Sequence, residues 1–131
     1  MINVQNIATV IGYLTLYPEN HDQTDWYNNS YQALTAKEMR NPKCGTKMCL
    51  AGWASAIGAP DNAVFDNGYG FTVNGEPTSA ESFAREFLGL DDDVAHWLFY
   101  GVGNEQIVPC LKYLVKHPYA DVEELEEAVD Y

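Results

Sequence analysis

From Cys49 to Ile57 the chain reads Cys-Leu-Ala-Gly-Trp-Ala-Ser-Ala-Ile. Leu50, Trp53 and Ile57 fall at helical spacing and, with Cys49, form an inward face. Everywhere else on this helix the residues are small: Ala51, Gly52, Ala54, Ser55 and Ala56. A helix this thin lets neighbours approach closely, so it belongs at the centre of a crowded arrangement of other elements. Thr46 is positioned to cap it and to start it one turn before Leu50.

The elements to surround it are legible on both sides. Asn3 caps a first helix whose Ile7, Val10, Ile11 and Leu14 repeat at i, i+3, i+4 and i+7, and Pro18 stops it. A short helix is expected over about Ser30 to Met39. Val64-Phe65 and Phe71-Thr72-Val73 flank a turn-rich segment, which predicts a small β-hairpin around residues 63–73, and Asn74-Gly75 turns the chain again. Thr78 and Glu81 have capping-box spacing before a helix carrying Phe83, Phe87 and Leu88 and ended by Gly89. Asp91 to Asp93 suit the positive end of the next helix, with Val94, Trp97 and Leu98 facing in and Gly101 closing it. A further helix runs from near Ile107 to His117, with Pro109 in its first turn and Pro118 beyond it. Asp121 and Glu124 form a second capping box for a terminal helix with Val122, Leu125 and Val129 on one narrow side. The fold class read from this is mainly α (α+β): a compact helical single domain over residues 1–131, with Trp53, Trp97 and Phe87 in the core.

Charge divides the chain in two. Residues 1–60 carry four acids and four bases, whereas residues 61–131 carry fifteen acids against Arg85, Lys112 and Lys116, for a net charge of −12. That sign repels phosphate backbones and anionic lipid, so direct nucleic-acid and membrane binding are not expected, and a basic protein surface is. The apolar stretches, such as Ile7 to Leu16, are short and interrupted, and Met1-Ile2-Asn3 lacks the basic start of a secretion signal, which predicts a cytoplasmic location. On the terminal helix Glu123 and Glu127 are four apart, as are Glu126 and Asp130, and each like-charge pair costs about 0.2 to 0.5 kcal/mol. Solubility alone accounts for an acidic surface. The unrelieved repulsion on one helix favours a charge array that imitates nucleic-acid phosphates and covers a basic cleft. Glu123, Glu124, Glu126, Glu127 and Asp130 are the expected partner-binding residues, followed by Asp91, Asp92 and Asp93. Lys37, Arg40, Lys43 and Lys47 form a basic segment that could instead pair with the acidic tail in a homodimer.

Cys44 and Cys49 lie five apart at a loop-to-helix junction. A zinc site there would need two more ligands, for which Cys110, His96 and His117 are the candidates, and the spacing is loose for a zinc knuckle. A reactive thiol gains from Lys43, Lys47 and the helix start, but no base is placed beside it. Buried structural cysteines are the plainer reading. No cofactor and no catalytic residue are therefore expected, and Asp91 to Asp93 do not follow the calcium-loop pattern.

The segment Cys44-Gly45-Thr46-Lys47-Met48-Cys49-Leu50-Ala51-Gly52-Trp53-Ala54, with Leu88-Gly89-Leu90 and Trp97-Leu98-Phe99, resembles small phage and actinobacterial proteins built around C-G-T-x-x-C-x-A-G-W-A. The resemblance implies a shared fold and a phage origin, and phage accessory proteins often bind and inhibit host proteins. The resulting expectation is a non-enzymatic accessory protein that inhibits a host factor, such as a nucleic-acid-handling or defence protein. The alternatives are a small metal- or thiol-dependent protein centred on Cys44 and Cys49, and a structural assembly component.

Overall fold

A computed structural model describes residues 2–23, 27–28, 33–42, 46–65 and 70–129, the pair 27–28 as backbone only. The chain begins with α1 (Val4–Leu16) and a 3-10 turn (Pro18–Asn20), followed by β1 (Tyr27–Asn28), β2 (Leu34–Thr35), α2 (Ala36–Met39) and β3 (Lys47–Met48). The middle holds α3 (Leu50–Gly58), β4 (Val64–Phe65), β5 (Gly70–Val73) and β6 (Glu76–Ser79). The rest is helical: α4 (Ala80–Leu88), α5 (Asp92–Tyr100), α6 (Asn104–Lys116) and α7 (Val122–Ala128).

The thin helix is central, as its composition requires. Every residue of α3 from Leu50 to Ala56 is buried, with Leu50, Trp53, Ala54 and Ala56 at 0 % exposure. It packs against α4, where Ser55 Oγ donates to the Ala80 carbonyl at 3.3 Å. A Cβ at Gly58 would lie 2.7 Å from the Phe87 ring, so this glycine sets the approach of the two helices. Trp53 stacks on Tyr17 at 5.9 Å and donates its Nε1 proton to the Asn20 carbonyl at 3.1 Å, which satisfies the indole in a buried setting. One apolar cluster continues from Ile7 in α1 to Leu125 in α7. Trp97 and Phe87, expected inside it, are half-buried and pack against its border.

The start of α1 also closes the end of α4. Asn3 Oδ1 caps its own helix by accepting from the Asn6 N–H, while Asn3 N–H and Asn6 Nδ2 donate to the Leu88 and Phe87 carbonyls at 2.9 and 2.7 Å. Those carbonyls have no partner within α4, because the chain leaves the helix through the left-handed Gly89 (φ 72°).

The expected hairpin is part of a larger sheet with the antiparallel order β2-β4-β5-β6. Its tip, 66–69, lies outside the described residues. Phe65 stacks on Phe71 at 4.6 Å, and Phe71 meets the edge of Phe83 at 5.2 Å, which fixes the sheet to α4. Expected helix starts shift where short strands precede the helices. Thr78 lies in β6, and Ser79 caps α4 instead. Thr46 is buried ahead of β3, and Cys49 takes the cap position of α3. Within the helix expected over Ser30 to Met39, the described residues hold α2, opened by a capping box between Thr35 and Glu38, while Leu34 and Thr35 pair with β4. Residues 29–32 lie outside the described set.

The helix α6 begins a turn earlier than expected, so Pro109 is interior rather than in the first turn. Pro109 has no N–H to give the Glu105 carbonyl, and Ile107, Cys110, Leu111 and Leu114 bury the face that holds the helix in place. Among the described residues no helix is long and apolar enough to cross a membrane.

Candidate functional site

Every described acid from Asp61 to Glu127 is exposed. The densest group is on α7, where Leu125 is fully buried, Val122 and Val129 are half-buried, and Glu123, Glu124, Glu126 and Glu127 face solvent. Asp121 caps this helix by accepting from the Glu124 N–H at 2.9 Å. The reciprocal half of the expected capping box is replaced, because the Glu124 carboxylate accepts from the Tyr113 hydroxyl of α6 at 2.7 Å. That hydrogen bond, helped by partial burial and the nearby Glu124 and Glu127 charges, holds the Tyr113 phenol above its ordinary pKa. His117 stacks on the same ring at 4.2 Å, at the end of α6.

The second group divides by role. Asp91 caps α5 by accepting from the Val94 N–H at 2.8 Å, and Asp92 accepts from Arg85 at 2.6 Å. Asp93 is exposed. Among the described residues the ion pairs are Arg40–Asp61 and Arg85–Asp92, so Asp93, Glu123, Glu126 and Glu127 carry charge that no described lysine or arginine neutralises. Asp130 lies outside the described residues. The structure brings the two groups towards one another, since α5 packs on α7 and a cleft of about 210 Å³ is lined by both Asp91 and Ala120, the residue before Asp121.

The basic segment is divided by structural work. Arg40 donates to the Ala56 and Ala59 carbonyls at the end of α3 and pairs with Asp61, while Lys37 and Lys47 are exposed and Lys43 lies outside the described residues.

Both cysteines among the described residues are buried. Cys44 lies outside the described residues. Cys49 is buried at the start of α3, and Cys110 is fully buried in α6, where burial pushes its thiol up to about 11. At neutral pH that thiol is protonated and unreactive. His96 lies against Tyr100 on α5, and among the described residues no three His, Cys, Asp or Glu side chains gather to hold a metal.

Sequence reading gave no role to Gln23, which proves to be a polar hub. Its Oε1 accepts from the Leu50 N–H at 2.7 Å, an otherwise orphaned donor at the start of α3, and its Nε2 donates to the Leu98 carbonyl at 3.0 Å. Its backbone N–H donates to Asn104 Oδ1 at the start of α6. Because Oε1 is fixed as an acceptor, His21 Nε2, 2.8 Å away, must carry the proton. Burial lowers the His21 pKa, with the Gln23 bond and the Asp22 charge working against it. This network joins α3, α5 and α6.

No protein-family model matches the chain, and no curated protein or solved structure does.

Proposed function

We propose that this chain is a non-enzymatic binding protein of phage type that inhibits a host protein in the cytoplasm by covering a basic surface with its acidic face. The observation that carries the reading is the row of exposed carboxylates on α7, which have no lysine or arginine partner among the described residues, while Leu125 on the other side is fully buried. Seven residues of helix extend about 10 Å at about 1.5 Å each. Four carboxylates along that length come within about a factor of two of duplex DNA, which carries one charge per about 1.7 Å. A basic cleft shaped for nucleic acid is therefore the surface that best complements it.

The test is capture from host lysate with the wild type and with a variant carrying lysine at Glu123, Glu126, Glu127 and Asp130. Glu124 is kept because it holds Tyr113. The expected partner is retained by the wild type at low salt, released at high salt as screening shortens the field to a few ångströms, and absent from the variant. A partner that survives both changes refutes the reading, provided circular dichroism shows both proteins folded.

A further inference from the structure

The cleft between the α4–α5 and α6–α7 corners has a property that the carboxylates alone do not explain. Its surface is somewhat more apolar than polar, with Ile2, Leu90, Val94, Leu114 and Pro118 bordering it beside Asp91. Tyr119 also lines it yet is 80 % exposed, the highest value among the exposed large apolar residues of the described chain. At about 210 Å³ the cleft is smaller than the roughly 300 to 1,000 Å³ usual for small-molecule sites, and it suits one side chain. An exposed tyrosine beside such a pocket is the residue type that anchors protein interfaces.

One acid lines the cleft, and others follow its lining residues in sequence at the starts of α5 and α7. Asp91 lines the cleft and leads into Asp92, which Arg85 holds at 2.6 Å, and the exposed Asp93, while Ala120 leads into the exposed Asp121 and, beyond Val122, Glu123; among the described residues no lysine or arginine lines the cleft. We infer that the cleft receives a single apolar side chain from a basic segment of the partner, whose flanking lysines or arginines face the acids at the starts of α5 and α7. This rests on the acidic-face reading above and adds its anchor point. A neutral small molecule would leave the charges unused. A second copy of this chain, with its own charge of −12, would set the same acids against each other across a symmetric contact.

The experiment titrates the isotope-labelled full chain at low salt with two amidated pentapeptides, one with leucine between two pairs of lysines, the other with glycine in that place. The leucine peptide is expected to bind about tenfold more tightly or better, the gain from burying one such side chain, with amide shifts at Leu90, Val94 and Ala120. Tyr119→Ser should erase that preference, whereas Leu16→Ser, at an exposed position on α1, should keep it. Equal affinities with shifts confined to α7 would overturn the anchor while leaving the acidic-face reading intact. Failure of both peptides to bind would overturn both. Cleft shifts that follow protein concentration alone would assign the site to a second copy, and equally tight binding of N-acetyl-leucinamide would assign it to a small apolar ligand. Either result overturns the inference.

Discussion

The helices α3 and α7 are of similar length, nine and seven residues, and differ in almost everything else. In α3 each residue from Leu50 to Ala56 is enclosed, so its side chain is dictated by what stands opposite: alanine against the neighbouring helices, tryptophan where Tyr13 and Tyr17 leave a slot. In α7 the fold asks for Asp121 as a cap, Leu125 as an anchor, the two half-buried valines and a carboxylate for Tyr113. It asks nothing evident of Glu123, Glu126 or Glu127, which are exposed and repel one another. Packing thus explains the first helix fully and leaves the charge of the second to solubility or to a partner.

The contrast predicts a steep hierarchy of mutational effects. Trp53→Ala should cost about 3 to 5 kcal/mol, a large share of the roughly 5 to 15 typical of a domain, by removing a fully buried ring and its hydrogen bond to Asn20. Denaturant unfolding measures this, and a loss below about 1 kcal/mol would mean that the centre repacks freely and the contrast is false.

A smaller effect comes from pH at the start of α3. The folded His21 pKa lies below its ordinary value of 6.5, so between the two values the unfolded chain binds more protons. The stability present above about pH 6.5 is therefore lost as pH falls through the folded pKa. His21→Gln keeps a donor for Gln23 but does not titrate, so its unfolding midpoint should fall less between pH 7 and pH 5 than that of the wild type. Parallel curves would show that His21 does not sense pH through this network.

The smallest effect belongs to α7. Glu123→Gln, Glu126→Gln and Glu127→Gln together should shift stability by no more than about 0.5 kcal/mol, and towards greater stability, because the Glu123–Glu127 repulsion is relieved. A thermal melt that falls by several degrees instead would show that these charges support the fold.

What could be read in advance was local. Asn3 and Asp121 cap the helices they were expected to cap, Asp91 to Asp93 stand at the start of α5 as their charge suggested, and Gly89 adopts the left-handed conformation that ends α4. Each of these signals acts within four residues. The two-residue strands β1, β2 and β3 are too short for an alternation to show, and they displace the cap from Thr46 to Cys49. The interior Pro109 misled for a related reason: proline has a strong local preference, which the buried face of α6 overrides. The acids of the candidate surface were visible, but the cleft between them was not. Leu90 and Tyr119 are far apart in sequence and meet only because the α4–α5 and α6–α7 corners converge. Gln23 was hidden for the same reason, since nothing near it in sequence reveals that Leu50, Leu98 and Asn104 surround it.

Asn74 and Gly75 form the two-residue connection between β5 and β6, both at positive φ, with Val73 paired to Glu76. A loop this short closes at little entropic cost, and hairpins form within about 1 to 10 μs. By contrast, β2 must bring Leu34 to Phe65 across the whole of α3. On the ribosome Leu34 and Thr35 emerge first and have no strand to pair with until β4 has been made. The sheet is easiest to assemble from its last strand backwards, against the direction in which the chain is synthesised.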